Sequence, residues 1–280
     1  MTHDRAQLLR SLLPLTYSRS VAIPSLKVET PEERAIFSLG ESRSQHKKSL
    51  SRQSLLTTHP NDRESALIHS TWLRKRRYHD PADPLRLPSN VYPMSSTVLK
   101  TASIMQPQYR NRHNFQIFGG FLLKSTFELA FCCCASFSHA RPNFVAADPC
   151  TFLNPVPVGS VLYLTATVSY TDPPLVDEAD VDAAVVDQTP QEPPPLLEEG
   201  QEGRNQLTRV HVRVDSKVRD VEHGIAKPTG VFNYTFAVER NVKVMPDTYQ
   251  EFMMYIDARR RVRKEDGAED ERMGEDQKKS

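Results

Sequence analysis

Apolar and polar residues alternate most regularly over residues 160–170, where Leu162, Leu164, Ala166, Val168 and Tyr170 interleave with Val161, Tyr163, Thr165, Thr167 and Ser169. A period of two is the mark of a strand with one face packed against another layer. The same period returns over 207–218, with Val210, Val212, Val214 and Val218 on one side and Arg209, His211, Arg213 and Lys217 on the other. It returns again over 231–238 in Phe232, Tyr234, Phe236 and Val238. Residues 97–106 and 143–153 read as two further strands. Between those two, residues 121–138 form an apolar run too long for a strand, which predicts a buried helix. The pattern is that of an α+β unit in which one strand and one long helix precede four strands of an antiparallel sheet.

Outside that unit the pattern thins. Thr30-Pro31-Glu32-Glu33 is a capping box with proline at the first helical position and predicts a helix to about residue 52. A second, polar helix is expected from 61 or 62 to 77, carrying Trp72. Neither has a broad apolar face, so residues 30–86 read as a helical linker beside a domain spanning 87–257. Residues 172–203 are rich in Asp, Glu and Pro and hold no Lys or Arg, the composition of a disordered acidic insertion. Loop-closure entropy grows only slowly with length, so a hairpin tip tolerates it. Residues 246–263 begin with Tyr249, Phe252, Met253 and Ile256 at helical spacing. They then pass into Arg259-Arg260-Arg261, read as a solvated helix end, and a charged tail over 258–280.

Composition narrows the partners. A formal charge of +1 supplies no field to steer a polyanion, and no aromatic residues interleave with the basic cluster, so nucleic acid is not an expected partner. The long apolar run is broken by Lys124, Ser125 and Glu128, so no membrane span is expected. Cys132, Cys133 and Cys134 are consecutive, and successive helical residues diverge by about 100°, so they read as small apolar residues rather than as metal ligands. Neither a metal nor another cofactor is expected. Within residues 1–29, the run 1–27 carries Arg5, Arg10, Arg19 and Lys27 against Asp4, with spaced leucines and several serines. That pattern suits a mitochondrial presequence and equally a plain amphipathic or disordered terminus.

Candidate chemistry gathers where the long helix begins, in Asn111-Arg112-His113-Asn114-Phe115-Gln116-Ile117-Phe118-Gly119-Gly120. The first amides of a helix have no intrahelical acceptor and lie at the positive end of its dipole, so Gly119 and Gly120 are candidates to hold an oxyanion. Asn111 and Asn114 precede them. Glu128 is the carboxylate inside the apolar run, four residues after Lys124 and within reach of an i,i+4 pair.

The runs RNRHNFQIFGGFLLKSTFELAF and VAADPCTFLNPVPVGSVLYLTATVSY resemble the C-terminal hotdog domain of the mitochondrial acyl-coenzyme A thioesterase 9-like enzymes. ETPEERAIFSLGE and LPSN are similar to the linker between their two hotdog domains. The resemblance implies a hotdog fold, in which an antiparallel sheet wraps a long central helix, and hydrolysis of fatty acyl-CoA to fatty acid and coenzyme A in the mitochondrial matrix. It also implies that the site forms between two hotdog units, so a chain with one unit is expected to be a homodimer or a higher oligomer. One unit would supply Asn114 and the Gly119–Gly120 helix start, with Asn111 as the fallback amide, and the other would supply Glu128. In many hotdog thioesterases the acid falls one residue earlier, where this chain has Phe127. Asp148 is given a supporting role. Arg112, His113, Arg209 and Arg213 are candidate contacts for the coenzyme A phosphates, with an ordinary solvated face as the alternative. A second function the resemblance allows is a non-catalytic subunit that binds acyl-CoA or completes an oligomer.

Overall fold

The computed structural model describes residues 26–52, 55, 58–78, 87–112, 116–176, 207–219 and 224–262. The expected presequence up to residue 25, the acidic insertion from 177 and the tail from 263 lie outside them.

The sheet is built from β2 (Leu99–Ile104), β3 (Asn143–Ala147), β5 (Val161–Asp172), β6 (Thr208–Arg219) and β7 (Ala226–Val238). These five strands are antiparallel in the order β2-β5-β6-β7-β3, and the two-residue β4 (Thr151–Phe152) also pairs with β7. Helix α3 (Gly119–Ser138) lies against one face. It buries Leu122, Thr126, Leu129, Ala130, Cys133, Cys134 and Phe137, the one-sided spacing of a helix packed on a sheet. Opposite them, Leu162, Leu164, Val210, Val212, Val214, Phe232 and Phe236 are all but removed from solvent. Each of these large side chains contributes roughly 1.5–3 kcal/mol by leaving water. By length and composition α3 is the one helix among the described residues that could cross a bilayer, and here the sheet wraps it.

The alternation expected through Tyr170 breaks at a bulge. Val168 pairs with Val212 but Tyr170 pairs with His211, so register shifts by one residue and the side chains after it exchange faces. Tyr170 therefore leaves the helix side and meets Tyr255 edge-on at 5.0 Å. Tyr255 belongs to α4 (residues 249–262), which covers the outer face of the sheet. That second layer explains why Thr167 on the outer face is buried together with its inward-facing neighbours, while Thr171, past the bulge, pairs with Val210 and turns to the helix side. A short parallel pair of β1 (Val91–Pro93) and β8 (Lys243–Met245), which the sequence pattern does not predict, closes this end.

Helix α1 (Pro31–Arg52) starts with the expected capping box: Glu33 N–H donates to Thr30 Oγ1 at 3.2 Å and Thr30 N–H to Glu33 Oε2 at 3.1 Å. Helix α2 (Asp62–Tyr78) uses Asn61 and Glu64 in the same way, at 2.8 and 2.9 Å. Unlike α1, α2 buries Leu67 and Thr71. The arginine cluster of α4 is not the solvated helix end expected of it. Arg260 grips Glu64 with two bonds of 2.6 and 2.7 Å, Arg261 reaches Asp148 at 2.9 Å and also pairs with Asp257, and Arg259 is buried. Burial opposes ionisation of Glu64, but the Arg260 guanidinium and the Asn61 amide outweigh it and hold the carboxyl below the usual range.

Candidate active site

The start of α3 is braced from three sides. Phe118 N–H donates to Tyr109 O at 2.9 Å, and the Tyr109 ring stacks on Phe121 at 4.0 Å. Ile117 N–H donates to Val156 O at 2.9 Å. Asn111 N–H donates to Gln116 O at 2.7 Å, which closes the base of the loop that carries the expected asparagine. Residues 113–115, including His113 and Asn114, lie outside the described residues.

Phe118 caps α3 with no side-chain hydrogen bond, and the amides of Phe121 and Leu122 both turn back to its carbonyl. Among the described residues no hydrogen bond is made to the amides of Gly119 or Gly120. Both glycines are only half-buried. They answer a steric need. A β carbon on Gly119 would stand 3.3 Å from Cζ of Phe152, and one on Gly120 would collide with the ring of Phe118. Two donors thus sit at a dipole end between two aromatic rings, an arrangement that favours an oxygen gaining negative charge.

Glu128 sits on the opposite side of α3 from the sheet. Its side chain is 60% exposed in the single chain and lies 3.6 Å from Lys124 Nζ, the expected i,i+4 pair. At a rise of about 1.5 Å per residue it is ~12 Å further along the axis than Gly120, out of reach of that amide within one chain. Phe127, one position earlier, turns to the sheet and meets Phe144, Tyr234 and Phe236. Next to it the Tyr234 hydroxyl shares a 2.8 Å hydrogen bond with Thr126, and burial pushes its phenol up against the lowering effect of that bond.

The arginines divide. Arg112 is exposed beside the loop. Arg209 and Arg213 lie on the outer face of β6, across the sheet from α3. Arg213 is already held by Asp215 at 2.9 Å, and Arg209 stands opposite Asp172 in register. The structure therefore does not bring them to the glycine turn. Sequence reasoning missed His211 on that same face. Its Nδ1 is 3.0 Å from Thr235 Oγ1, its Nε2 is buried without a partner among the described residues, and Tyr170 tilts against its ring. Burial, then the charges of Arg261 and Arg209, push the imidazole down to about 3. The signal was present only as one histidine in an alternating strand.

A long helix with a glycine start, wrapped by an antiparallel sheet in which β2 and β3 form the two edges and the longer β5, β6 and β7 lie between them, defines a hotdog unit. No protein-family model matches the chain. The human mitochondrial acyl-coenzyme A thioesterase 9 is 33% identical over 234 residues, 83% of this chain and 45% of its own length. Mouse mitochondrial acyl-coenzyme A thioesterase 10 is 31% identical over 244 residues, 86% and 48%. Over this stretch the chain belongs to the acyl-coenzyme A thioesterase 9-like family, and it spans about half the length of these relatives. Among solved structures, a Staphylococcus aureus acyl-CoA hydrolase in complex with butyryl coenzyme A, coenzyme A and coenzyme A disulfide superposes with a TM-score of 0.48 at 21% identity. The match covers 66% of this chain and 95% of that one.

Proposed function

We propose that the protein hydrolyses fatty acyl-CoA thioesters at a seam between two hotdog units. The observation that carries this reading is the pair of amides at Gly119 and Gly120 that make no hydrogen bond among the described residues, in a chain related to acyl-CoA thioesterases. In the proposed reaction the thioester carbonyl oxygen rests on those amides. Asn114, or Asn111 in its place, orients the attacking water, and Glu128 of the second unit accepts the water's proton as the carbon–oxygen bond forms. Collapse of the tetrahedral intermediate breaks the carbon–sulfur bond, Glu128 returns the proton to the departing sulfur, and coenzyme A and the fatty acid are released. The alternative in which Glu128 attacks directly and forms a transient anhydride uses the same geometry. The exposure of Glu128 and its distance from Gly120 along α3 support a site completed by another unit, supplied by a homodimer or a higher oligomer. We place the activity in the mitochondrion, where the names of the animal relatives put them, and specifically in the matrix.

A non-catalytic subunit that binds acyl-CoA is the competing reading, favoured by the surface pairing of Glu128 with Lys124. Palmitoyl-CoA hydrolysis followed with a thiol reagent, with size-exclusion chromatography in parallel, separates the two. Release of coenzyme A by a dimer that Glu128→Gln abolishes is expected. Tight binding without release would assign the subunit role, and near-normal turnover by Glu128→Gln would remove that residue from the chemistry.

A further inference from the structure

The two rings beside the glycine amides differ in how they are held. Phe118 is 57% exposed and extends from the cap residue of α3. Phe152 is 45% exposed yet fixed: it pairs with Gly230 of β7 and stands edge-on to the buried ring of Phe232 at 5.7 Å. The residues after it continue the restraint, with Leu153 N–H donating to Thr229 O at 2.8 Å and Asn154 Nδ2 to Pro228 O at 2.7 Å. A large apolar ring is thus held rigidly, half in water, with one edge against Gly119. Phe118 stands on the other side of the amide pair, against Gly120.

We propose that Phe152 is a specificity-determining residue whose open ring face is the wall on which an apolar acyl chain rests. This rests on the thioesterase reading, because the acyl carbons adjoin the carbonyl that the glycine amides would hold. Hydrocarbon is the occupant that fits. The rings beside the amides are Phe118 and Phe152, neither of which offers a side-chain hydrogen bond to the amide-rich arm of coenzyme A or to a polar acyl group. Selectivity at such a wall grows with the number of methylene groups in contact, so its removal costs long acyl groups more than short ones.

The test is a series of acetyl-, octanoyl- and palmitoyl-CoA with the full chain, Phe152→Ala and Phe152→Leu, measuring kcat/KM together with the binding of palmitoyl-CoA and of free coenzyme A. The expected result in Phe152→Ala is a loss for the two longer substrates about tenfold greater than the loss for acetyl-CoA, with partial recovery in Phe152→Leu. Equal losses at every chain length, or none, overturn the proposal; equal losses with a changed oligomeric state assign the ring to contact with a second copy. Should the full chain hydrolyse nothing, the thioesterase reading fails by itself. Binding then decides the wall: weaker palmitoyl-CoA binding with unchanged coenzyme A binding supports it, and unchanged binding of both refutes it.

Discussion

Replacing His211 by Gln should flatten the loss of stability on acidification. In the folded chain the imidazole is buried between Thr235 and Tyr170 and faces Arg261 and Arg209, with Asp148 paired to Arg261 nearby. Its pKa is held down to about 3 from an ordinary 6.5. Below the ordinary value the unfolded chain binds a proton that the folded chain refuses, so stability is complete above about pH 6.5 and falls as pH drops toward the folded value. The slope approaches about 1.4 kcal/mol per pH unit, or about 2 kcal/mol between about pH 7.5 and about pH 5. Glu64, whose depressed pKa makes its contribution fade only below the ordinary carboxylate range, lies outside that window. Urea denaturation at both pH values reads the effect, and the difference between wild type and variant isolates this residue. The glutamine can keep a hydrogen bond to Thr235, so the fold is retained. Parallel losses in both proteins would show that the histidine is protonated in the folded state and would refute the argument.

Arg260→Ala leaves Glu64 buried without its guanidinium, and thermal denaturation should show a cost of about 2 kcal/mol. Tyr234→Phe removes one hydroxyl from the buried pair with Thr126, which keeps its bond to Leu122 O at 2.9 Å, so denaturant unfolding should register about 1 kcal/mol. Burial pushes the Cys133 and Cys134 thiols up to about 12. Iodoacetamide at neutral pH should therefore modify the exposed Cys132 and leave those two unlabelled until the protein unfolds, which mass spectrometry of proteolytic fragments would report.

The hotdog unit was legible because its signals are local. Alternation marked β5, β6 and β7, and the apolar run with its glycine start marked α3. What escaped depended on contacts made far along the chain. The bulge that turns Tyr170 outward changes no composition; it reflects the presence of α4 on the outer face. Arg259 to Arg261 read as a charged helix end because Glu64 and Asp148, which neutralise two of them, are remote in sequence. The pairing of β1 with β8 is likewise between two three-residue segments too short to carry a period. At the site the glycines were recognised as amide donors, but their fit beneath Phe118 and Phe152 is a property of the packed structure. Arg213 looked available for phosphate although the strand expected over 207–218 already puts Asp215, two residues on, on the same face, so this ion pair was legible in the sequence.

The capping carboxylate of α2 has a second duty. Glu64 accepts from the amide of Asn61, the residue that caps its own helix, and, across 196 residues of chain, anchors Arg260 near the last described turn of α4. Initiation of α2 and docking of α4 are thereby made to depend on the same two oxygen atoms, so fraying at either place should spread to the other instead of remaining a local event.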